Sequence, residues 1–251
     1  MNELVRAALS NEAVSEAAKL YNIKFSDLTL LHDNVNIVYR FHECDKNFLL
    51  RLPHFSHQCF DTVNSEIYWI NFLHDNKIPV SNPLASVNNN LCEKVTTGDS
   101  YFSVVKFNAA PGVELGEKNW NSNTIAQMGK ITGMIHQCSK TYSPPDTIKK
   151  RTIWPEKSNQ MAEIYLPKSE IKSWKYWTQL LNTVKQLPST SDSFGVVHND
   201  IHRGNFMVEN GRLTLFDCED ACYTWFVNDI SCPLFFAVNY NGVNDFNRRG
   251  W

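Results

Sequence analysis

Apolar and polar positions change rhythm part-way along the chain. The first residues, MNELVRAALSNEAVSEAAKLY, space Leu4, Ala8 and Leu9, then Val14, Ala17, Ala18 and Tyr21, at intervals that predict one or two amphipathic helices. LTLLHD, NIVYRFHE and NFLLRLP follow; they alternate or are rich in β-branched and aromatic residues, with polar turns between, and predict three strands. CDKN, Cys44 to Asn47, is the expected hairpin turn between the last two. SEIYWINFLHDN returns to helical spacing through Ile67, Ile70, Phe72 and Leu73. LCEKVT and YFSVVKF are two further strands, and NAAPGVEL, with Pro111 and Gly112, breaks the pattern.

Beyond that break the rhythm is helical. NTIAQMGKITGMIHQCSK carries Ile125, Met128, Ile131, Met134 and Ile135 on one face, and Pro144 and Pro145 end it. Residues 146–167 have no clear period. KSEIKSWKYWTQLLNTVKQL predicts another helix, VENGRL a hairpin, and WFVNDISCPLFFAV a buried helix. The expected fold class is therefore α+β, with a strand-rich unit over residues 1–107 and a mainly helical unit over residues 108–251.

Composition narrows the function classes. The 251 residues, 43% hydrophobic, suffice for a substantial core. A net charge of −2 gives no electrostatic footprint for nucleic acid, and no apolar run is long enough to span a bilayer. The N-terminus lacks the apolar region of a signal peptide. Seven cysteines without paired C-x-x-C clusters read as reduced and structural. The expectation is a cytoplasmic protein, monomer or homodimer, with neither a nucleic-acid nor a membrane partner.

The densest chemistry lies in VVHNDIHRGNFMVENGRLTLFDCED, residues 196–220. Asn210-Gly211 between alternating stretches is a strong hairpin signal. A two-residue turn there sets Asn205 opposite Phe216, one position from Asp217; a three-residue loop sets it opposite Asp217 itself. Either way an Asn carbonyl and an Asp carboxylate, both hard oxygen donors, share the open end of one hairpin. That pair suits magnesium, which takes few protein ligands. Asp200, five residues before Asn205, lies in a loop able to bend back over the same point.

HNDIHRGN followed by LTLFD resembles the aminoglycoside phosphotransferase and choline kinase family, whose fold is similar to that of protein kinases. LLHDNVNIVYRF resembles the family's nucleotide-covering hairpin, with Asn36 in it. FLLRL resembles the strand bearing the phosphate-contacting basic residue, here Arg51, and SEIYWINFLHDNKIPVSNPL the helix bearing its acidic partner, here Glu66. YFSVVKF resembles the strand into the hinge, where backbone near Lys106 and Phe107 would meet adenine. Asp229 in NDIS matches the residue that anchors the catalytic loop. The resemblance implies a bilobal kinase-like fold, ATP and Mg2+ as cofactors, Asp200 at the acceptor hydroxyl, Asn205 and Asp217 on the metal, and His198 as structural support. His202 and Arg203 could face the phosphates or simply solvent.

Three departures accompany it. Arg51 stands where protein kinases use Lys. DNVN lacks the glycine usual in the nucleotide-covering turn, which assigns a left-handed conformation to Asn34. The sequence stops at Trp251, soon after Asp229, with NDFNRRGW as the start of a further segment, so a shortened C-lobe is expected.

The resemblance implies a small hydroxyl-bearing acceptor of the aminoglycoside, choline or ethanolamine, or homoserine class. Tyr223, Trp225 and Phe226 could cage a quaternary ammonium or simply pack the core. Glu219 and Asp220 would favour a cationic acceptor, or be solvated or metal-bound. Three other readings stand beside this one: a protein Ser/Thr kinase of the same family, a truncated non-catalytic ATP-binding module, and a metallohydrolase using the H-x-D-x-H set of His198, Asp200 and His202.

Overall fold

The computed structural model describes residues 3–34 and 36–239. Two helices, α1 (Glu3–Ala8) and α2 (Asn11–Lys19), precede an antiparallel meander of β1 (Thr29–Asp33), β2 (Asn36–Glu43) and β3 (Lys46–Pro53). Cys44 and Asp45, both at positive φ, make the two-residue turn that the right-handed twist of a hairpin favours. Asn34 is not among the described residues with positive φ, so the left-handed position expected there is absent.

Helix α3 (Phe60–Asp75) crosses one face of the sheet, which β4 (Pro83–Leu84), β5 (Glu93–Thr97) and β6 (Ser100–Asn108) complete. β6 lies beside β3, with β4 and β5 on its other flank. Strand parity divides this region into two cores. Phe48, Leu50, Phe102 and Val104 face outward against Ala13, Ala17 and Ala18 of α2. Val105 and Phe107 face inward with Val63, Ile67 and Ile70 of α3. The inner core runs without interruption into the C-terminal lobe, through Ile131, Ile135, Ile201, Phe206 and Leu215.

That lobe starts with β7 (Val113–Glu114), inside the stretch read as a break. Gly112 permits it: at φ +92 a Cβ would lie 2.1 Å from the Val208 carbonyl oxygen. The helices are α4 (Ser122–Ser139), α5 (Trp154–Tyr165) and α6 (Ile171–Val184); α5 occupies part of the stretch that showed no period. β8 (Phe194–Val197) pairs with β11 (Cys222–Trp225), and β9 (Phe206–Glu209) with β10 (Arg212–Leu215). α7 (Val227–Asn239) follows.

Two packing expectations fail. Ile125 is 48% exposed, because the buried stripe of α4 runs through Thr124, Met128, Ile131, Thr132 and Ile135. Local bonds make its threonines tolerable there: Thr132 Oγ1 donates to Met128 O at 2.9 Å and Thr124 Oγ1 to Asn119 O at 2.8 Å. Helix α7 is not buried all round: Val227, Ile230, Leu234 and Phe235 are each more than half exposed. The NDFNRRGW segment lies outside the described residues. Among those described, no helix is long and apolar enough to cross a membrane.

Candidate active site

The Asn210-Gly211 turn has two residues, pairing Arg212 with Glu209 and Leu215 with Phe206. Asn205 therefore meets Phe216, whose N–H donates to Asn205 O at 3.0 Å, and Asp217 follows at φ +61. The loop from His198 to Asn205, between β8 and β9, closes over this hairpin end.

Its shape is imposed from below by Asp229, which is 0% exposed in the first turn of α7. Asp229 accepts from the His198 N–H at 3.1 Å and the Asn199 N–H at 2.7 Å, and meets His136 Nε2 at 3.1 Å. These bonds hold Asn199 at φ +69, the left-handed region that asparagine tolerates better than most residues. His198 is a buried support: Nδ1 accepts from the Asp200 N–H at 3.3 Å, which leaves Nε2 to donate to Phe216 O at 3.2 Å.

Asp200 is gripped from one side. His202 Nδ1 accepts from the Gly204 N–H at 3.0 Å, so its Nε2 carries the proton and donates to Asp200 Oδ2 at 3.1 Å. Asn205 Nδ2 donates to the same Oδ2 at 3.0 Å and to Asp200 O at 2.9 Å. Oδ1 meets the Cys232 thiol of α7 at 3.9 Å. Burial acts to raise the Asp200 carboxyl, but the His202 bond, the two imidazoles and the Asn205 bond outweigh it and hold the group below the ordinary carboxylate range.

Across the cleft, Arg51 and Glu66 form a two-pronged ion pair at 2.9 and 2.8 Å, both buried. Burial acts to lower the Arg51 pKa, and the Glu66 charge and bonds more than reverse this. Arg51 lies 5.2 Å from the Phe107 ring centroid. Asn36 Nδ2 and His57 Nε2 both reach the carboxylate of Glu219, two residues beyond Asp217. Burial acts to raise Glu219; the His57 bond, the Arg51 charge and the Asn36 bond together hold it down to about 2. For Asp217 the balance reverses: desolvation by the cleft walls outweighs Arg51, the charges of Glu219 and Glu66 add to it, and the carboxyl is pushed up.

Asp200 and Asn205, Asn36 and Glu219, and Arg51, Glu66 and Phe107 thus form three bonded groups around Asp217. Lys106 belongs to none of them. It pairs directly with Leu50, on the opposite face of the sheet from Arg51, and its ammonium meets Glu43 at 3.3 Å over the Phe48 ring. The backbone of Lys106 and Phe107 runs between β3 and β4, with Lys106 opposite Leu50 and Leu84 and Phe107 opposite Leu49 and Pro83. Trp225 and Phe226 are buried and do not form a cage: Trp225 Nε1 donates to Pro188 O at 3.0 Å, and Phe226 stacks on His136 at 4.6 Å. Sequence reasoning missed the junctions made by Glu219, His57, Cys232 and Arg151; of these, only the position of Glu219 just past Asp217 was a visible signal.

The H-x-D-x-H set does not suit zinc, because both ring nitrogens of His198 and of His202 are already in hydrogen bonds. Nor, among the described residues, do three or more His, Cys, Asp or Glu gather as a metal set. Magnesium fits better. The Asn205 amide nitrogen is committed to Asp200, which leaves its oxygen as an acceptor, and no hydrogen bond is made to the Asp217 carboxylate among the described residues. A nucleotide also fits: Arg51 Nε and Asn36 Oδ1 are buried polar atoms without partners.

Comparison with known proteins adds identity to this geometry. The model of the phosphotransferase enzyme family matches residues 28–245. An amicoumacin kinase of Bacillus subtilis (strain 168) is 32% identical over 230 residues, 91% of this chain and 68% of that protein. A solved amicoumacin kinase in complex with AMP-PNP and Ca2+ is 30% identical with a TM-score of 0.89, covering 96% of this chain and 73% of that one. A microcompartment-associated aminopropanol kinase, 19% identical with a TM-score of 0.72 over 90% of this chain and 74% of its own, shares the fold.

Proposed function

The chain belongs to the phosphotransferase enzyme family, and from that premise we propose that it transfers the γ-phosphoryl group of ATP to a hydroxyl of a small, amine-containing molecule. The kinase class itself follows from membership, as does the use of ATP with a divalent cation. Residues 1–107 are assigned to nucleotide binding and residues 108–251 to catalysis and acceptor binding.

One observation carries the assignment of roles. The two oxygens of Asp200 are not equivalent: Oδ2 is filled by His202 and Asn205, while Oδ1 faces a thiol, a weak donor. Oδ1 is the atom available to an acceptor hydroxyl. As the acceptor oxygen bonds to the γ-phosphorus, the bond from phosphorus to the β–γ bridging oxygen breaks, ADP leaves, and the acceptor proton passes to Asp200. Because Asp200 is held below the ordinary carboxylate range, it is ionised at neutral pH and ready to orient that proton.

Asn205 and Asp217 are the metal ligands in this reading, and bound magnesium would neutralise charge on the phosphate oxygens. Arg51, fixed by Glu66, faces the phosphates. Asn36, tied to Glu219, sets the covering turn over them, and Phe107 lines the inner wall at the nucleotide. The protein performs no covalent chemistry of its own, so positioning and charge carry the rate.

Amicoumacin is the first acceptor to assay, because two amicoumacin kinases share 30–32% of the sequence. The seven thiols suit a cytoplasmic setting. The test is ADP release from Mg-ATP with amicoumacin, aminopropanol, choline, homoserine and aminoglycosides, using Asp200→Ala as control. Acceptor-dependent release that the variant lacks supports the reading; equal release by the variant removes Asp200 from it.

A further inference from the structure

Arg151 lies between α4 and α5, in a stretch without periodicity, and is 7% exposed. Its neighbours are pinned. The Tyr223 N–H donates to Thr152 O at 2.8 Å, and Ile153 bridges to Tyr223, so residues 151–153 run beside β11. The guanidinium is thereby aimed between two structural units. Nη1 donates to Thr62 O at 3.0 Å, in the first turn of α3 and one turn before Glu66. Nε donates to Ala221 O at 2.7 Å, and Nη2 donates to Glu219 O at 2.5 Å.

One buried cation therefore satisfies three backbone carbonyls. Two follow Asp217 in the chain, and the third underlies the helix turn that holds Glu66 against Arg51. Only a planar fork with several donors can do this; a lysine ammonium has one centre on a flexible stem. The contacts are to main chain, so they fix where the two segments lie rather than supplying charge to either.

We propose that Arg151 is a positioning residue that sets the spacing between the Arg51–Glu66 pair and Asp217, and through it the affinity for magnesium nucleotide. The proposal rests on the nucleotide and metal roles assigned above. It differs from a merely structural role in what it moves. Loss of packing alone lowers the melting temperature and leaves the folded fraction binding normally. Loss of spacing weakens the metal-dependent part of nucleotide binding in molecules that are fully folded.

The experiment is calorimetric titration of AMP-PNP into wild type, Arg151→Lys and Arg151→Gln at a temperature where circular dichroism shows each folded. Each titration is run with saturating Mg2+ and again in EDTA. The expected result with Mg2+ is a Kd at least about tenfold higher in Arg151→Gln, the size of effect that loss of one charged hydrogen bond gives, with a smaller rise in Arg151→Lys. In EDTA the Kd should stay within about twofold of wild type. Variants that are folded and bind Mg-AMP-PNP as wild type does would overturn the proposal. If wild type itself binds no Mg-AMP-PNP, the nucleotide reading falls, and this inference with it. Should neither variant fold, native-state hydrogen exchange on the wild type decides. Residues 60–66 and 217–221 should lose protection in one step as denaturant rises; two separate steps would overturn the coupling.

Discussion

Asp229→Ala removes a carboxylate that the catalytic loop rests on. It is 0% exposed and accepts from two backbone donors, His198 N–H at 3.1 Å and Asn199 N–H at 2.7 Å, while also meeting His136 Nε2. A buried donor left without an acceptor costs about 1–3 kcal/mol, so two cost about 2–6, and the vacated volume adds to this. An overall loss near 4 kcal/mol is a large fraction of the roughly 5–15 kcal/mol that a folded domain has in total. At about 2–4 °C per kcal/mol for a chain of this size, the melting temperature should fall by roughly 8–16 °C. Asp229→Asn keeps one acceptor and turns an NH2 toward the second donor, so it should lose about half as much. That milder variant separates folding from function. At 25 °C it should stay folded, yet turn over Mg-ATP with its acceptor at least tenfold more slowly, because Asn199 and hence Asp200 lose their fixed position. The assay is urea unfolding followed by tryptophan fluorescence, paired with ADP release by the same samples. Asp229→Ala within about 1 kcal/mol of wild type, or Asp229→Asn with wild-type turnover, would refute the anchor.

Other outcomes follow from the same geometry. Asp200→Ala should lower kcat by about 10²–10⁴ while the Kd for Mg-AMP-PNP stays within a few-fold, checked by coupled ADP assay and calorimetry; tight binding lost along with turnover would place Asp200 in nucleotide binding instead. Arg51→Met leaves Glu66 buried and uncompensated, which should cost about 3–5 kcal/mol in urea unfolding, and Arg51→Met/Glu66→Met should recover most of that stability but not nucleotide binding. Thiol labelling should separate two cysteines. The Thr62 hydrogen bond, opposed by burial and helped by Lys149, holds exposed Cys59 below an ordinary thiol; burial, then the charges of Asp200 and Asp229, push Cys232 up to about 12. Since the thiolate is the nucleophile, Cys59 should still be alkylated by iodoacetamide as pH falls toward 7, with Cys232 unmodified at pH 8, as mapped by mass spectrometry. The reverse order of labelling would show that these environments are misassigned.

Much of the site could be read from the chain because its parts are local. The Asn210-Gly211 turn fixes the register that brings Asn205 to Phe216, and the five-residue step from Asp200 to Asn205 lets one side chain bond the other's backbone. Strand parity, read with the register, places the side chains of Lys106 and Arg51 on opposite faces of the sheet. Distant packing left less trace. Apolar spacing in residues 227–238 marks a helix with apolar residues but not which of them are covered, and Ile230 and Leu234 prove exposed. Arg151 is the extreme case. Its partners are carbonyls of Thr62, Glu219 and Ala221, a feature of backbone placement that no residue pattern encodes.

The central claim is that Asp200, through Oδ1, directs an acceptor hydroxyl at the γ-phosphate of Mg-ATP. The most direct test is phosphorus NMR of the wild-type protein with Mg-ATP and each acceptor of the panel, amicoumacin first, beside Asp200→Ala. The account predicts a new phosphomonoester signal appearing together with ADP in wild type and absent from the variant. A phosphomonoester formed equally fast by Asp200→Ala, or none from any acceptor in a wild-type protein that binds Mg-ATP, would contradict it.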